Sequence, residues 1–406
     1  MVILSRTAQV ATSRVPQTGG IHYSLARIVQ LLGPGYMKFA QIASTRDDLL
    51  PPALCEALRP LQDRAKPMSR KEFEKALARS VSGGRSAFRF VETKAIGAGS
   101  IACVYRAERW DGRIVAIKLA RPAITRRVKR DVRVIRTMTQ IFSLIPALKG
   151  IPISDMVDAV GRAVIAQVDF EAERKSLVIL AEQITYLDKV VVPVPHDDLC
   201  SSTAIVMDFI PDLTSSGWRA PSNPNRDPET ALQVMTLVFD MLFTTGVVHC
   251  DLHPGNLVTR NAGGMAVLDA GFVHVLPNEV RVALARFFLN LGFRNGPGCS
   301  DAVLSTCSVI DMASDLSGFR DAMDTLVDRY GGRPADEFDF LDFAGRLFAA
   351  QRNFGVYASS DFIFPLLALL MVDGTVRRLD PDIDFQTIAR PIVFRAVNQA
   401  EKEATI

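Results

Sequence analysis

Between residues 249 and 271 the chain reads His249-Cys250-Asp251-Leu252-His253-Pro254-Gly255-Asn256 and then Asp269-Ala270-Gly271. An Asp-x-x-x-x-Asn spacing alone recurs by chance in chains of this size. The flanking His249, the Pro-Gly turn and the downstream Asp-x-Gly make the pattern restrictive. Asp251 can accept a hydroxyl proton or orient a nucleophile, while Asn256 and Asp269 offer hard oxygens to magnesium. That is the residue set used for phosphoryl transfer from a magnesium-bound nucleotide.

Such a site needs a phosphate-gripping half, and the chain supplies one upstream. Phe88 to Val91 alternates like a strand, and Gly97-Ala98-Gly99-Ser100-Ile101-Ala102-Cys103-Val104 follows it. Small residues at 97 to 99 let backbone approach phosphate oxygens and aim amides at them. Val104 to Trp110 and Arg113 to Leu119 are alternating runs joined by Asp111-Gly112, a hairpin signal. The second run contains Val115-Ala116-Ile117-Lys118, whose amine is placed to reach the α- and β-phosphates of ATP. A glycine-rich loop alone is usually a turn, and a lone strand Lys usually a solvated edge charge. Their order here, ahead of the 249–256 loop, favours the nucleotide reading. Val206-Met207-Asp208-Phe209 reads as a hinge whose backbone meets adenine, so Met207 and Phe209 join the expected nucleotide site.

At 406 residues and 48% hydrophobic content the chain can build two lobes and a further segment of about a hundred residues. The expected division is a helical extension at 1–87, a small lobe with a helical insertion at 88–210, and a mainly helical lobe with a short tail at 211–406. Gly83 to Ser86 and Pro221 to Asp227 read as loops. A net charge of +3 gives no indication of nucleic-acid binding, and the six cysteines lack metal-ligand spacing. They suit a reducing compartment, so a cytoplasmic location is expected. No apolar run is long enough to span a membrane; Phe362 to Val372 is short, contains Pro365 and reads as a core helix.

Ahead of the first strand, Gly33-Pro34-Gly35 breaks the chain. The stretch that reads as a helix then runs through Lys38, Gln41, Ser44 and Arg46 to Asp48-Leu49-Leu50-Pro51, and Leu61-Gln62-Asp63 follows. On these residues the chain resembles the UbiB (AarF-like) family of atypical kinases, whose hallmark is Lys-x-Gly-Gln, then Ser-x-Arg and Asp-Leu-Leu-Pro. The resemblance runs from about residue 25 to 385 and includes Leu379-Asp380-Pro381 near the end. It implies an α+β, bilobal protein-kinase-like fold whose helical N-terminal extension carries the Lys-x-Gly-Gln-like motif. It also aligns Gln167-Val168-Asp169 with the family's Glu-x-Asp motif. Glu173 then becomes the expected partner of Lys118, with Glu171 as the fallback. Lys38, Gln41, Gln167 and Asp169 would form a regulatory element occluding the protein-substrate site.

Three departures stand out. Ala40 replaces the motif's Gly, Gln167 replaces its Glu, and Ala270 replaces the Phe of the Asp-Phe-Gly pattern. The first adds a methyl, the second removes a charge, and the third removes an aromatic while leaving Asp269 intact. His249 is expected to brace the loop; His253 reads equally as a γ-phosphate contact or a plain loop residue. The resemblance implies ATP and magnesium as cofactors, and an isoprenoid-quinone or prenyl-lipid pathway served at a membrane surface. An acid-free start up to Asp47, and a run from Arg121 to Arg136 with Asp131 as its one acid, suit an anionic membrane face. The start also resembles a transit peptide. Two other readings stay open: a soluble phosphotransferase of the aminoglycoside or choline kinase kind, and a nucleotide-binding pseudokinase scaffold.

Overall fold

The computed structural model describes residues 28–29, 32, 34–43, 66–142, 153–213, 227–252, 255–307, 314–333 and 338–404. The chain forms two compact units, one of Met1–Val178 with Val194–Phe209, the other of Ile179–Pro193 with Ile210–Ile406.

In the first unit, helix α1 (Pro34–Ala43) and helix α2 (Arg70–Ser80) precede strands β1 (Phe88–Val91), β2 (Gly97–Ala98), β3 (Ala102–Arg109) and β4 (Ile114–Ala120). Helices α3 (Ile124–Phe142) and α4 (Ile153–Ala166) follow, then α5 (Phe170–Gln183), which belongs to this unit up to Val178. After β5 (Val190–Val191), which belongs to the second unit, β6 (Ala204–Asp208) completes the sheet. Its order is β1-β3-β4-β6 with β2 on β3, and every pairing is antiparallel. The β3–β4 hairpin closes where expected. Gly112 takes φ 83°, and the Arg113 N–H donates to Asp111 Oδ1 at 3.0 Å.

Period-two alternation then decides which side chains share a face. Val115, Ile117 and Leu119 of β4 join Tyr105 and Val206 in a core with Phe73 and Leu77 of α2. The Phe73 and Tyr105 rings lie 4.2 Å apart. Helix α2 is started by a capping box between Ser69 and Glu72. Residues 70–80, read from sequence as part of an extension ending at 87, thus belong to the core of this sheet. Burying Phe73 and Leu77, both 0% exposed, contributes about 1.5–3 kcal/mol each.

On α3, Ile124, Val128, Asp131 and Val132 are buried, while Arg126, Lys129, Arg130 and Arg133 are exposed. Helices α1 and α4 pack on α3. Their approach depends on two glycines. A Cβ at Gly161 would lie 2.9 Å from Val132 Cγ1, and one at Gly35 would lie 2.8 Å from the Asp131 carboxylate.

The second unit holds β5 and helix α6 (Pro228–Phe239), which continues into a widened π-helical turn over Asp240–Thr245. Four short strands come next: β7 (Val247–His249), β8 (Leu257–Thr259), β9 (Met265–Val267) and β10 (Val273–Val275). Six helices close the unit: α7 (Asn278–Gly292), α8 (Gly296–Leu304), α9 (Leu316–Tyr330), α10 (Phe340–Asn353), α11 (Ser360–Leu379) and α12 (Phe385–Ala404). Segment 179–193, expected with the small lobe, clusters here because β5 pairs in parallel with β9, which pairs with β8. Strand β10 pairs with β7. Phe287 anchors the helical core, edge-on to Phe362 at 5.7 Å. Phe362, Leu366 and Val372 of α11 are fully buried, as a core helix requires. Among the described residues no helix is long and apolar enough to cross a membrane.

Candidate functional site

In the first unit, Lys118 stands on β4 opposite Val104 of β3 and Ile205 of β6. Its neighbours at 117 and 119 point into the α2-side core, so the pleat turns Lys118 to the other face. There its ammonium donates to Glu173 Oε1 of α5. The Lys118 side chain is 10% exposed and that of Glu173 1%, so the pair is desolvated. The ammonium also lies 5.7 Å from the centroid of the Phe170 ring. Glu171 is exposed; the carboxylate that meets Lys118 is Glu173.

Helix α5 is aimed by its own start. The Ala172 N–H donates to Asp169 Oδ1 at 3.0 Å, and the Glu173 N–H donates to Asp169 O. Asp169, expected in a regulatory motif, therefore caps the helix that delivers Glu173. Gln167 is buried just before it. Lys38 and Gln41 lie in α1, but their side chains fall outside the described residues. Ala40, the departure from Gly, is buried, so its extra methyl is accommodated within packed surface.

The Gly97–Ser100 segment forms the β2–β3 turn. Gly97 pairs with Val104 and Ala98 with Cys103. The Gly99 N–H donates to Ala102 O at 2.9 Å, so that amide serves the hairpin and is not offered outward. Ser100 is buried. Arg121, which the sequence reading gave no site role, braces this turn. Its Nε donates to Gly99 O at 2.8 Å, its Nη2 to Lys66 O at 2.6 Å, and its own amide to Ile101 O. The arginine's place at the exit of β4 was the available signal.

The expected hinge sits differently. Val206, Met207 and Asp208 are strand residues, Met207 opposite Ala116, and the chain leaves the sheet at Phe209. The amides of Asp208 and Phe209 already donate to Val194 O and Ile114 O. An adenine contact here would fall to carbonyls of this stretch or to residues beyond it.

In the second unit, the β8–β9 hairpin aligns Asn256 with the chain before Asp269, since the Leu268 N–H donates to Asn256 O at 2.8 Å. Asn256 Nδ2 donates to Asp251 O at 2.9 Å, which leaves Oδ1 as the amide's outward oxygen. Asp269 Oδ1 accepts from the Gly271 N–H at 2.8 Å. His249, 0% exposed, ties these loops together. The Asp251 N–H donates to its Nδ1 at 3.1 Å, so Nε2 carries the proton and donates to Asp269 O at 2.5 Å. The imidazole is thereby the neutral Nε2–H tautomer, a brace between the Asp251 loop and the Asp269 turn. His253 lies outside the described residues. Ala270 is buried, and the next aromatic, Phe272, packs edge-on against Phe364 of α11 at 5.4 Å.

Among the described residues no group of three or more His, Cys, Asp or Glu side chains could hold a metal unaided. The amide oxygen of Asn256 and the carboxylate of Asp269 are hard oxygens of the kind magnesium takes, and would hold it together with a nucleotide. Cys250 beside Asp251 is no rival nucleophile, because burial pushes its thiol pKa far up.

Residues 60–302 match the family described as the ABC1 atypical kinase-like domain. The chain is 25% identical over 379 residues to the "Probable protein kinase UbiB" of Tolumonas auensis, spanning 91% of this chain and 69% of that protein. A protein of the same name from Shewanella piezotolerans is 26% identical over 390 residues, 93% and 70% of the two chains. Among solved structures, one titled as the complex of Rv3197 with erythromycin from Mycobacterium tuberculosis superimposes with TM-score 0.59. It covers 96% of this chain and 97% of that one at 16% identity, a likeness of fold. The fold is thus α+β and kinase-like.

Proposed function

This chain belongs to the ABC1 atypical kinase-like family, and from that premise we propose that it binds magnesium–ATP and transfers or hydrolyses the γ-phosphoryl group. The observation that carries the proposal is the desolvated Lys118–Glu173 pair. A buried ammonium is costly to keep for stability alone, whereas held beside a carboxylate it is a fixed positive charge for α- and β-phosphates. Lys118 grips those phosphates and Glu173 positions Lys118. Asn256 and Asp269 hold magnesium, which when bound neutralises charge on the transferring group. Asp251 takes the acceptor's proton or orients water, and His249 keeps its loop in register with Asp269. Gly97, Ala98, Gly99, Ser100 and Val104 cover the phosphates, and Met207 and Phe209 flank adenine.

The pathway served is proposed to be isoprenoid-quinone or prenyl-lipid metabolism at an anionic membrane surface. Arg126, Arg127, Lys129 and Arg133 of α3 support the surface. They are exposed and form no ion pair among the described residues, while the run's one acid, Asp131, is buried and bonded to Arg130 at 2.8 Å. Nucleotide titration of the full chain with and without magnesium tests the core of this reading. Asp269→Asn should abolish the magnesium-dependent part of the affinity while leaving the magnesium-free part in place. Equal magnesium dependence in both proteins would defeat the assignment.

A further inference from the structure

The second unit encloses a cavity of about 290 Å³ that no step above uses. Six phenylalanines line it: Phe239 of α6, Phe288 of α7 and Phe293 just after it, Phe338 just before α10 and Phe340 at its start, and Phe385 of α12. Protein interiors seldom leave voids much above a water's share of about 30 Å³, and apolar ones stay dry and accept hydrocarbon. The volume sits at the small end of ligand pockets, roughly 300–1,000 Å³, which suits a slender chain.

The polar lining selects the other end of the ligand. Asp373 is locked into the wall. Arg377 donates to it at 2.8 Å, also donates to Phe338 O at 3.1 Å, and lies 4.8 Å from the Phe385 ring centroid. The Asp373 carboxylate is thus taken up by Arg377 within the wall, and burial pushes its pKa upward. Arg390 differs. It lines the cavity, is exposed, and has no ion-pair partner among the described residues. Phe293, also of the lining, is 72% exposed, apolar surface that an occupant could cover.

We infer that this unit binds a single-chain anionic amphiphile, its hydrocarbon chain among the phenylalanines and its head group on Arg390. The ligand is drawn either free from solution or from a bilayer leaflet; both sources share that chemistry. No nucleotide enters the inference, so it stands or falls apart from the function proposed above.

Gly292 supplies the test. It lines the cavity, and an added Cβ there meets no atom within 4 Å. Gly292→Leu therefore adds bulk to the lining without displacing backbone, and should leave the melting temperature at or above that of the native chain. Calorimetric titration of the full-length protein with monomeric dodecanoate should give one saturable site. Gly292→Leu should weaken it about tenfold or more, with Ala389→Phe as a second obstruction from the opposite helix. Arg390→Gln should weaken dodecanoate about three- to tenfold and leave dodecanol unchanged. Phosphatidylglycerol vesicles form the second arm, where Gly292→Leu should also lower binding if the ligand is taken from a leaflet. Vesicle binding indifferent to Gly292→Leu, with no dodecanoate site, overturns the inference. So does equal affinity for dodecyltrimethylammonium, which would remove Arg390 from the head-group role.

Discussion

Replacing Glu173 with Ala would remove the carboxylate that meets the Lys118 ammonium, in a site where the lysine side chain is 10% exposed. With so little water contact, solvent cannot replace the lost charge partner. Breaking a buried pair of this kind costs about 3–5 kcal/mol. For a unit of this size each kcal/mol shifts melting by roughly 2–4 °C, so Glu173→Ala should melt about 6–20 °C lower. Lys118→Met should cost a similar amount, because it leaves Glu173, 1% exposed, without its ammonium. The double change Lys118→Met with Glu173→Leu removes both charges and should recover most of the loss, since apolar replacement of a buried pair is often neutral or better. Urea denaturation of all four proteins, followed by circular dichroism, closes the cycle. Additive single costs in the double variant would refute the reasoning, as would single costs below about 1 kcal/mol, the range of an exposed pair. Recovery of stability without recovery of nucleotide binding would show that the pair is retained for function at the expense of the fold.

Two further outcomes follow from the second unit. Gly263 and Gly264 both take positive φ in the β8–β9 turn, but a Cβ at 263 meets nothing within 4 Å while one at 264 would lie 2.3 Å from Lys189 O. Gly263→Ala should therefore cost only left-handed strain, about 1–2 kcal/mol, and Gly264→Ala about 2–4 kcal/mol once β5 is displaced; equal midpoints in urea would contradict this. Asp373, whose folded pKa is raised above 3.8 chiefly by burial, holds its proton more tightly folded than unfolded. Its contribution to stability is therefore present below pH 3.8 and lost as pH rises through the folded value. Denaturation midpoints measured from pH 4 upward should fall more steeply in the native chain than in Asp373→Asn, and parallel profiles would dismiss the burial argument.

The sequence carried the elements whose signal is local. The β3–β4 hairpin was legible because alternation and Asp111-Gly112 specify a turn without help from distant residues. The choice between Glu171 and Glu173 was also contained in the chain. Phe170, Glu173, Leu177 and Leu180 recur at helical spacing and are all buried, while Glu171 sits off that stripe. The same phase argument places Asp131 with Ile124, Val128 and Val132, so the acid that seemed to dilute a basic surface lies beneath it. Periodicity could not place the hinge, because Val206-Met207-Asp208-Phe209 alternates equally well as strand or as connector. Only the bonds that the Asp208 and Phe209 amides donate to Val194 O and Ile114 O decide for strand.

What no local pattern could disclose is a volume. The cavity's walls come from positions as far apart as Met235 and Val393, and its existence is the difference between the space those helices enclose and the side chains that fill it. Phenylalanine-rich helices normally close such space, as Phe287, Phe343 and Phe362 do in the same unit. Gly292 occurs where an added Cβ meets no atom within 4 Å, Ala389 is a small residue of the same lining, and Arg390, also of the lining, is exposed. We read such a cavity as the seat of an occupant and not as imperfect packing, and Gly292→Leu separates the two. Imperfect packing predicts a more stable protein with no binding to lose; an occupant predicts binding lost at unchanged or higher stability.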